Sequence, residues 1–282
     1  MRINEHPILE FKRGKSIQFK FNDQIIEAYE GESIAAALHA NGVRVLSISS
    51  HLHRPRGFFC AIGKCSSCLM EVDGLPNVKT CLVLAKEGMI VRNQSGKGKI
   101  ENVPSDLNLA TQPIPTLETD IAIIGGGPAG LSAAIYAAKP GARSMVFDEN
   151  NQPGGQLIKQ THMFFGSREH YARIRGIDIS QKLLAEIEPL PVQLFTDTSV
   201  IGYFHPHTLA IIQAGELKKV IAKKIVVATG ATENMLSFEN NDLPGVYGAG
   251  AVQTLMNVYG ILPGKRVLMV GAGNIGVIVS YQ

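Results

Sequence analysis

Cysteine is absent from the first 59 and the last 201 positions of this 282-residue chain; the four present all lie between Cys60 and Cys81. A disulfide framework spreads its bridges over a small secreted chain, so that architecture is excluded and a metal site is expected instead. The sequence also lacks any block of lysine and arginine. Its 27 basic and 24 acidic side chains leave a net charge of +3, too little to imply a nucleic-acid partner. The opening MRINEHPILEFKRGK has no apolar core, so no signal peptide is expected. There is no H-E-x-x-H and no G-x-S-x-G, and residues 260–266 imitate a phosphate loop with the wrong spacing. Two uncharged stretches occur, 121–138 and 267–282. The first is long enough to span a bilayer, but it contains Gly-Gly-Gly-Pro and reads better as strand, turn and helix. A cytoplasmic protein with no integral membrane segment is therefore expected.

What is present is ordinary globular composition, 45% hydrophobic and 18% charged, with a high glycine count of 29. That much glycine without a collagen period suits tight turns and close backbone approaches. The length corresponds to two domains and the start of a third. In residues 1–97, Ile17, Phe19 and Phe21 alternate with polar residues as in a strand. A turn at Asp23-Gln24 leads to a second strand over 25–29. Ser33 is placed to cap a short helix ending near Asn41-Gly42. Further strands are expected at 43–48, 69–72 and 89–92, which together make a small mixed sheet with one helix. A Gly-, Pro- and Ser-rich linker is expected over 98–117. Strand 121–124, helix 129–138 and strand 144–147 then form a βαβ unit. A strand at 224–228 follows, and another strand–glycine turn at 267–276.

Cys60, Cys65, Cys68 and Cys81 read C-x4-C-x2-C-x12-C. Three thiolates from one short loop and a fourth from farther on match the plant-type [2Fe–2S] pattern. Ala61, Gly63, Ser66 and Ser67 are small enough to let backbone N–H groups reach the sulfurs, and Lys64, Arg54 and Arg56 would offset the cluster charge. Structural zinc remains an alternative, although zinc ribbons usually supply two C-x2-C knuckles; plain thiols are another. No C-x-H occurs, so a Rieske centre is excluded and His51 and His53 read as loop residues. The run RGFFCAIGKCSSCLMEVDGLPNVKTC resembles the ferredoxin-like domain that opens the alpha subunits of bacterial heteromeric amine and amino-acid dehydrogenases. These oxidise sarcosine, opines, proline or hydroxyproline, and hydrogen cyanide synthase is included.

Gly125, Gly127, Pro128, Ala129 and Gly130 lie in a G-x-G-x-x-G between an apolar strand and a helix. Gly125 is assigned the tight turn, Gly127 the approach to a pyrophosphate and Gly130 close helix–strand packing, with the helix amino terminus facing the phosphates. Asp148 ends the next strand, where its carboxylate would accept ribose hydroxyls. Gly155 and Gln156 in Pro-Gly-Gly-Gln, and Ala228, Thr229 and Gly230 after Val226-Val227, resemble the FAD-side motifs of thioredoxin reductase-like and glutathione reductase-like flavoproteins. Those enzymes use a cysteine pair in a nucleotide domain. No cysteine follows Cys81, so thiol chemistry is excluded while the FAD implication stands. Residues 160–166, with Arg173 and Arg175 nearby, resemble a characteristic family stretch; contact with the flavin or a partner subunit is one reading of it and a plain surface loop the other.

Gly271, Gly273 and Gly276 form a second fingerprint, which by resemblance opens an NAD(P)-type domain. The chain stops at Gln282 inside the helix so opened and reads as a truncated or split product. The returning strand and a carboxy-terminal FAD segment are missing, and NAD versus NADP stays open. The expected fold class is α/β: a β-grasp-like ferredoxin domain (1–97), a doubly wound FAD-binding domain (118–262), and the start of an NAD(P)-type Rossmann domain (263–282). The function implied is an iron–sulfur flavoprotein electron-transfer subunit with [2Fe–2S] and FAD, paired in a hetero-oligomer with a substrate-oxidising flavoprotein subunit. The alternatives are a self-contained NAD(P)H-dependent flavin oxidoreductase and a zinc-stabilised interaction module with an empty nucleotide fold. No side chain reads as an acid–base catalyst, as expected where cofactors carry the chemistry.

Overall fold

Burial follows the period-two pattern at once. In a computed structural model describing residues 1–99 and 113–282, Ile17, Phe19 and Phe21 point inward from β1 (Ser16–Phe21) while their neighbours face water. Asn22, in the left-handed region at φ 50°, turns the chain into β2 (Gln24–Tyr29), so the turn falls one residue earlier than expected. The two strands pair antiparallel, Ser16 opposite Tyr29 and Phe21 opposite Gln24. Helix α1 (Ile34–Ala40) starts where Ser33 Oγ accepts the Ala36 N–H at 3.3 Å and ends at Asn41 before Gly42 at φ 88°. The expected strand at 43–48 shrinks to β3 (Ser47–Ile48), paired with β4 (Pro55–Arg56). The preceding residues are drawn elsewhere, Val43 N–H donating to the Leu38 carbonyl at the end of α1. Strands β5 (Leu69–Val72), β6 (Leu75–Lys79) and β7 (Ile90–Asn93) complete a sheet ordered β2-β1-β7-β5-β6, with β1 parallel to β7.

Strand β8 (Thr116–Ile124) begins inside the stretch assigned to the linker, most of which lies outside the described residues. Its early start is fixed by pairing, since Thr116 and Leu117 find ladder partners in Lys219 and Val220. Helix α2 (Pro128–Ala138), β9 (Ser144–Phe147), α3 (Gly176–Ile187), β10 (Val192–Phe195), β11 (Thr198–Phe204), β12 (Thr208–Gln213) and β13 (Glu216–Val227) follow. The sheet order is β10-β9-β8-β13-β12-β11; the first four strands run parallel and the last three antiparallel. Alternation sends Ile123 and Val146 to a core shared with Leu131 and Ala134 of α2 and with Ile179 and Leu183 of α3. The opposite face, with Ala122, Met145 and Phe147, packs on Leu209, Ile211 and Val220 of the antiparallel arm.

Contacts divide the chain into two units, Met1–Leu107 with Glu233–Gln282, and Asn108–Thr232. The break after Thr232 falls inside the 118–262 span expected for one FAD-binding domain. In the first unit, α4 (Ala249–Gln253) and the π-helical turn Thr254–Val258 bring Ala251 and Leu255, with Ile261, into the core of Phe19 and Leu38. Residues 266–270 form no strand, contrary to the sequence pattern. Val267, Leu268 and Val270 are largely exposed, and no ladder partner stands beside them among the described residues. A strand without a neighbour has no hydrogen bonds to hold it extended. Helix α5 (Asn274–Tyr281) still forms behind them, and among the described residues no helix is long and apolar enough to cross a membrane.

Candidate functional site

The cysteine loop is wound so that backbone donors face sulfur. Ala61, Gly63 and Ser66 all take positive φ (56°, 67° and 59°). Cys60 Sγ accepts N–H groups of Ile62 and Cys65, and Cys65 Sγ that of Ser67, each at 3.5 Å. Gly63 has positive φ, and a Cβ there would stand 2.6 Å from Cδ1 of the exposed Leu82, so that side chain would have to move. Cys60, Cys68 and Cys81 are buried, Cys65 is half-buried, and none forms a disulfide. The thiols make a chain of contacts, Cys65 to Cys60, Cys60 to Cys81 and Cys81 to Cys68. Thiol donation from Cys65 and Cys81 pulls Cys60 well below the usual thiol range, and donation from Cys81 lowers Cys68 to about 7. The donors Cys65 and Cys81 are pushed up in turn, chiefly by Cys60. Among the described residues no group of three or more His, Cys, Asp or Glu side chains is already gathered to hold a metal ion. A four-thiol set with N–H donors aimed at sulfur fits a [2Fe–2S] group.

Of the cations expected to flank the loop, Arg54 forms a fork on Asp242 (3.1 and 2.8 Å) and bonds Asn240 at 2.7 Å. Arg56 lies 3.4 Å from the same carboxylate. Asp242 has no signal in the local sequence because it lies 188 residues from Arg54. His51 and His53 are exposed loop residues.

The first glycine fingerprint sits at the carboxyl ends of parallel strands β8, β9 and β13, where open α/β sheets bind ligands. Gly125 has φ 106°, and a Cβ there would strike the Ala228 carbonyl; a Cβ at Gly130 would strike the Gly125 carbonyl. These two glycines serve the turn and the helix–strand contact, as their positions implied. Gly127 is the N-cap of α2 with ordinary extended backbone (φ −77°), and a Cβ there would meet only Gly155 Cα at 3.8 Å. The protein therefore leaves open the space in front of Gly127, with Pro128 and Ala129 exposed beside it. Gly155, at φ 55°, opposes Gly127, and Gly154 N–H donates to the Gly126 carbonyl at 2.8 Å, tying the two loops together. Gln156 is exposed. Ala228 N–H donates to the Ile124 carbonyl at 2.8 Å, which holds the Ala228-Thr229-Gly230 turn against the fingerprint.

Asp148 is buried, and its carboxylate already has protein partners. Oδ2 accepts Gly126 N–H at 2.7 Å, and Oδ1 accepts both the backbone and the side-chain N–H of Asn150 at 2.8 Å. The sequence pattern found the acid but missed Asn150, and it placed Gly154 in the Pro-Gly-Gly-Gln motif without assigning it a task. Gly154 is left-handed at φ 114° with no room for a Cβ beside Ser180. The three bonds that Asp148 accepts leave about one of a carboxylate's roughly four acceptor sites for a ribose hydroxyl. Its first task is to fix the glycine turn.

In the second fingerprint, Gly271 has φ 110°, Gly273 caps α5, and a Cβ at Gly276 would strike the Gly271 carbonyl. The turn is thus the same as at 125–130, without a flanking sheet. Residues 160–166 fold against 173–177: Phe164 N–H donates to the Ile174 carbonyl and Arg173 N–H to the Phe164 carbonyl. Met163 and Phe165 are left exposed.

Comparison with known proteins places these two sites in context. Residues 14–96 match the 2Fe-2S iron-sulfur cluster binding domain, and residues 119–282 match the pyridine nucleotide-disulphide oxidoreductase family. The alpha chain of sarcosine oxidase from Corynebacterium sp. (strain P-1) is 29% identical over 94% of this chain, which spans 29% of that protein. An opine oxidase component of Agrobacterium tumefaciens (strain Ach5) is 30% identical over 58% of this chain and 34% of its own length. Among solved structures, L-proline dehydrogenase from P. horikoshii superposes with a TM-score of 0.78 at 27% identity, covering 95% of this chain and 51% of that one. The chain thus spans only about a third of the curated relatives it matches.

Proposed function

Because the chain belongs to the pyridine nucleotide-disulphide oxidoreductase family, we propose that it is the iron–sulfur flavoprotein part of a heteromeric amino-acid or secondary-amine dehydrogenase. One observation carries this reading: a four-thiol centre with N–H groups on its sulfurs shares a chain with a glycine turn left open at Gly127. Cys60, Cys65, Cys68 and Cys81 hold the [2Fe–2S] group. Gly125, Gly127 and Gly130 with α2 seat the FAD pyrophosphate, while Asp148 and Asn150 keep that turn in shape. Thiol chemistry of the family's name does not extend to this chain, which has no cysteine beyond Cys81. A bound flavin would exchange one hydride, an electron pair, on one side and single electrons on the other. The chain's residues position and shield it, and substrate oxidation belongs to a partner flavoprotein subunit. The names of the sarcosine, opine and proline enzymes support that substrate class. Four unbridged thiols suit a cytoplasmic setting.

A second reading, an NAD(P)H-dependent flavin oxidoreductase working alone, draws support from the preserved turn at Gly271 and Gly276. Metal analysis and absorption spectra of the purified chain, wild type and Cys65→Ser, separate the possibilities. The expected result is two irons per chain with flavin absorption, and loss of the iron with retention of flavin in the mutant. Zinc in place of iron, or iron unchanged in Cys65→Ser, overturns the assignment. Steady NAD(P)H oxidation by the chain alone selects the second reading.

A further inference from the structure

Granted the [2Fe–2S] reading above, we propose that the serine-lined recess beside Cys65 is where the cluster exchanges single electrons with a second protein, and that this partner is acidic. Three of the four sulfur-bearing residues are sealed, Cys60, Cys68 and Cys81 being at most 5% exposed. Cys65 alone is half-buried, and it opens into a cavity of about 260 Å³. Around it stand Ser47, Ser49, Ser50, Ser66, Arg56 and Gln94. The walls are held by their own bonds: Ser47 Oγ donates to the Ser67 carbonyl at 2.8 Å, and the Gln94 amide donates to Asn77 Oδ1 at 2.8 Å and to the Gly96 carbonyl at 3.1 Å. Ser50 and Ser66 stand at the exposed rim. An electron crosses least protein where the cover over the cluster is thinnest, and that is here.

Charge identifies the visitor. Residues 47–69 and 94–99, the segments that build the recess and its surroundings, contain Arg54, Arg56, Lys64, Lys97 and Lys99 and no Asp or Glu. Among the described residues, the carboxylate paired with Arg54 and Arg56 is Asp242. The surplus remains positive after the formal charges of Asp242 and of an oxidised four-thiolate cluster are subtracted. A positive face of this kind steers anionic partners and repels cationic ones. Its small hydroxyl-bearing residues let another surface approach closely. In the step itself one electron leaves the reduced cluster and reduces the partner by one; no bond is made or broken.

The test uses the whole cluster-loaded chain, with redox-inert hexacyanochromate(III) as the anionic probe and hexaamminechromium(III) as the cationic control. Paramagnetic broadening of amide signals is expected around Ser49, Ser50 and Gly96 with the anion and not with the cation. It should weaken several-fold in Ser50→Glu at unchanged iron content. Stopped-flow oxidation of the dithionite-reduced cluster by ferricyanide should slow in the same variant and with added salt, whereas oxidation by hexaammineruthenium(III) should not. Broadening centred elsewhere, equal broadening by both probes, or salt-independent ferricyanide rates overturn the proposal. Absence of iron from the wild-type chain instead removes the cluster reading beneath it.

Discussion

Gly127 and Gly130 lie one helical turn apart in one fingerprint but perform different tasks. At Gly130 the absent Cβ allows the helix to touch the Gly125 carbonyl, so any side chain there must lift α2 off β8. At Gly127 the backbone is ordinary and the neighbouring space is free of protein. The strain of the turn falls on Gly125, where φ is 106°, and not on Gly127. Gly127→Val is therefore expected to keep its unfolding temperature near wild type while FAD affinity falls on the order of tenfold or more, equivalent to about 1.4 kcal/mol or more. Gly130→Val should destabilise the unit outright, by roughly 1–3 kcal/mol or more, as overpacking does. Paired FAD titrations and thermal melts decide the matter; equal FAD affinity in wild type and Gly127→Val removes the fingerprint as the flavin site.

Elements form where local signals and neighbours agree. Helix α1 is only seven residues long, too short to stand alone in water. It persists because Ile34, Ala35, Ala36, Ala37 and Leu38 are fully buried and Ser33 caps its first turn. Ser33→Ala should cost about 1 kcal/mol and lower the melting temperature of the first unit by a few degrees. A melt unchanged in Ser33→Ala would mean that packing alone holds the helix. Residues 121–124 and 267–270 show the converse. Both are apolar runs before a glycine fingerprint, but only the first has parallel neighbours on both sides, β9 and β13. The run at 267–270 stays unpaired with its apolar side chains exposed.

At the scale of the molecule, the first unit is closed by residues 233–282 returning to the amino-terminal sheet. His39 marks that closure. It is 1% exposed, with its ring 6.0 Å from Phe58 and 5.8 Å from Tyr247. Burial, then the charge of Arg44, lower its pKa to about 4; the Pro263 carbonyl opposes the shift, and the terminal amine adds to it. The unfolded chain, with a histidine near 6.5, binds the proton more readily than the folded one. His39 thus contributes stability that is fully present above about pH 6.5 and is lost as pH falls towards 4. Thermal melts between pH 7 and 4 should show the first unit weakening across this window, and His39→Gln should flatten that slope. An identical slope in the mutant would assign the acid sensitivity to other groups.

The parts whose physics is local were legible along the chain. The period-two pattern of β1, the Ser33 cap, the left-handed glycines at 125 and 271, and the small residues among the four cysteines all follow from side-chain size and backbone freedom. Whatever depends on distant partners came from folding. It placed Asp242 on Arg54 and Arg56 and gave the Asp148 carboxylate to Gly126 and Asn150. It also sent Leu255 and Ile261 into the core of the amino-terminal unit, and it left 267–270 without a sheet because a strand exists only beside another.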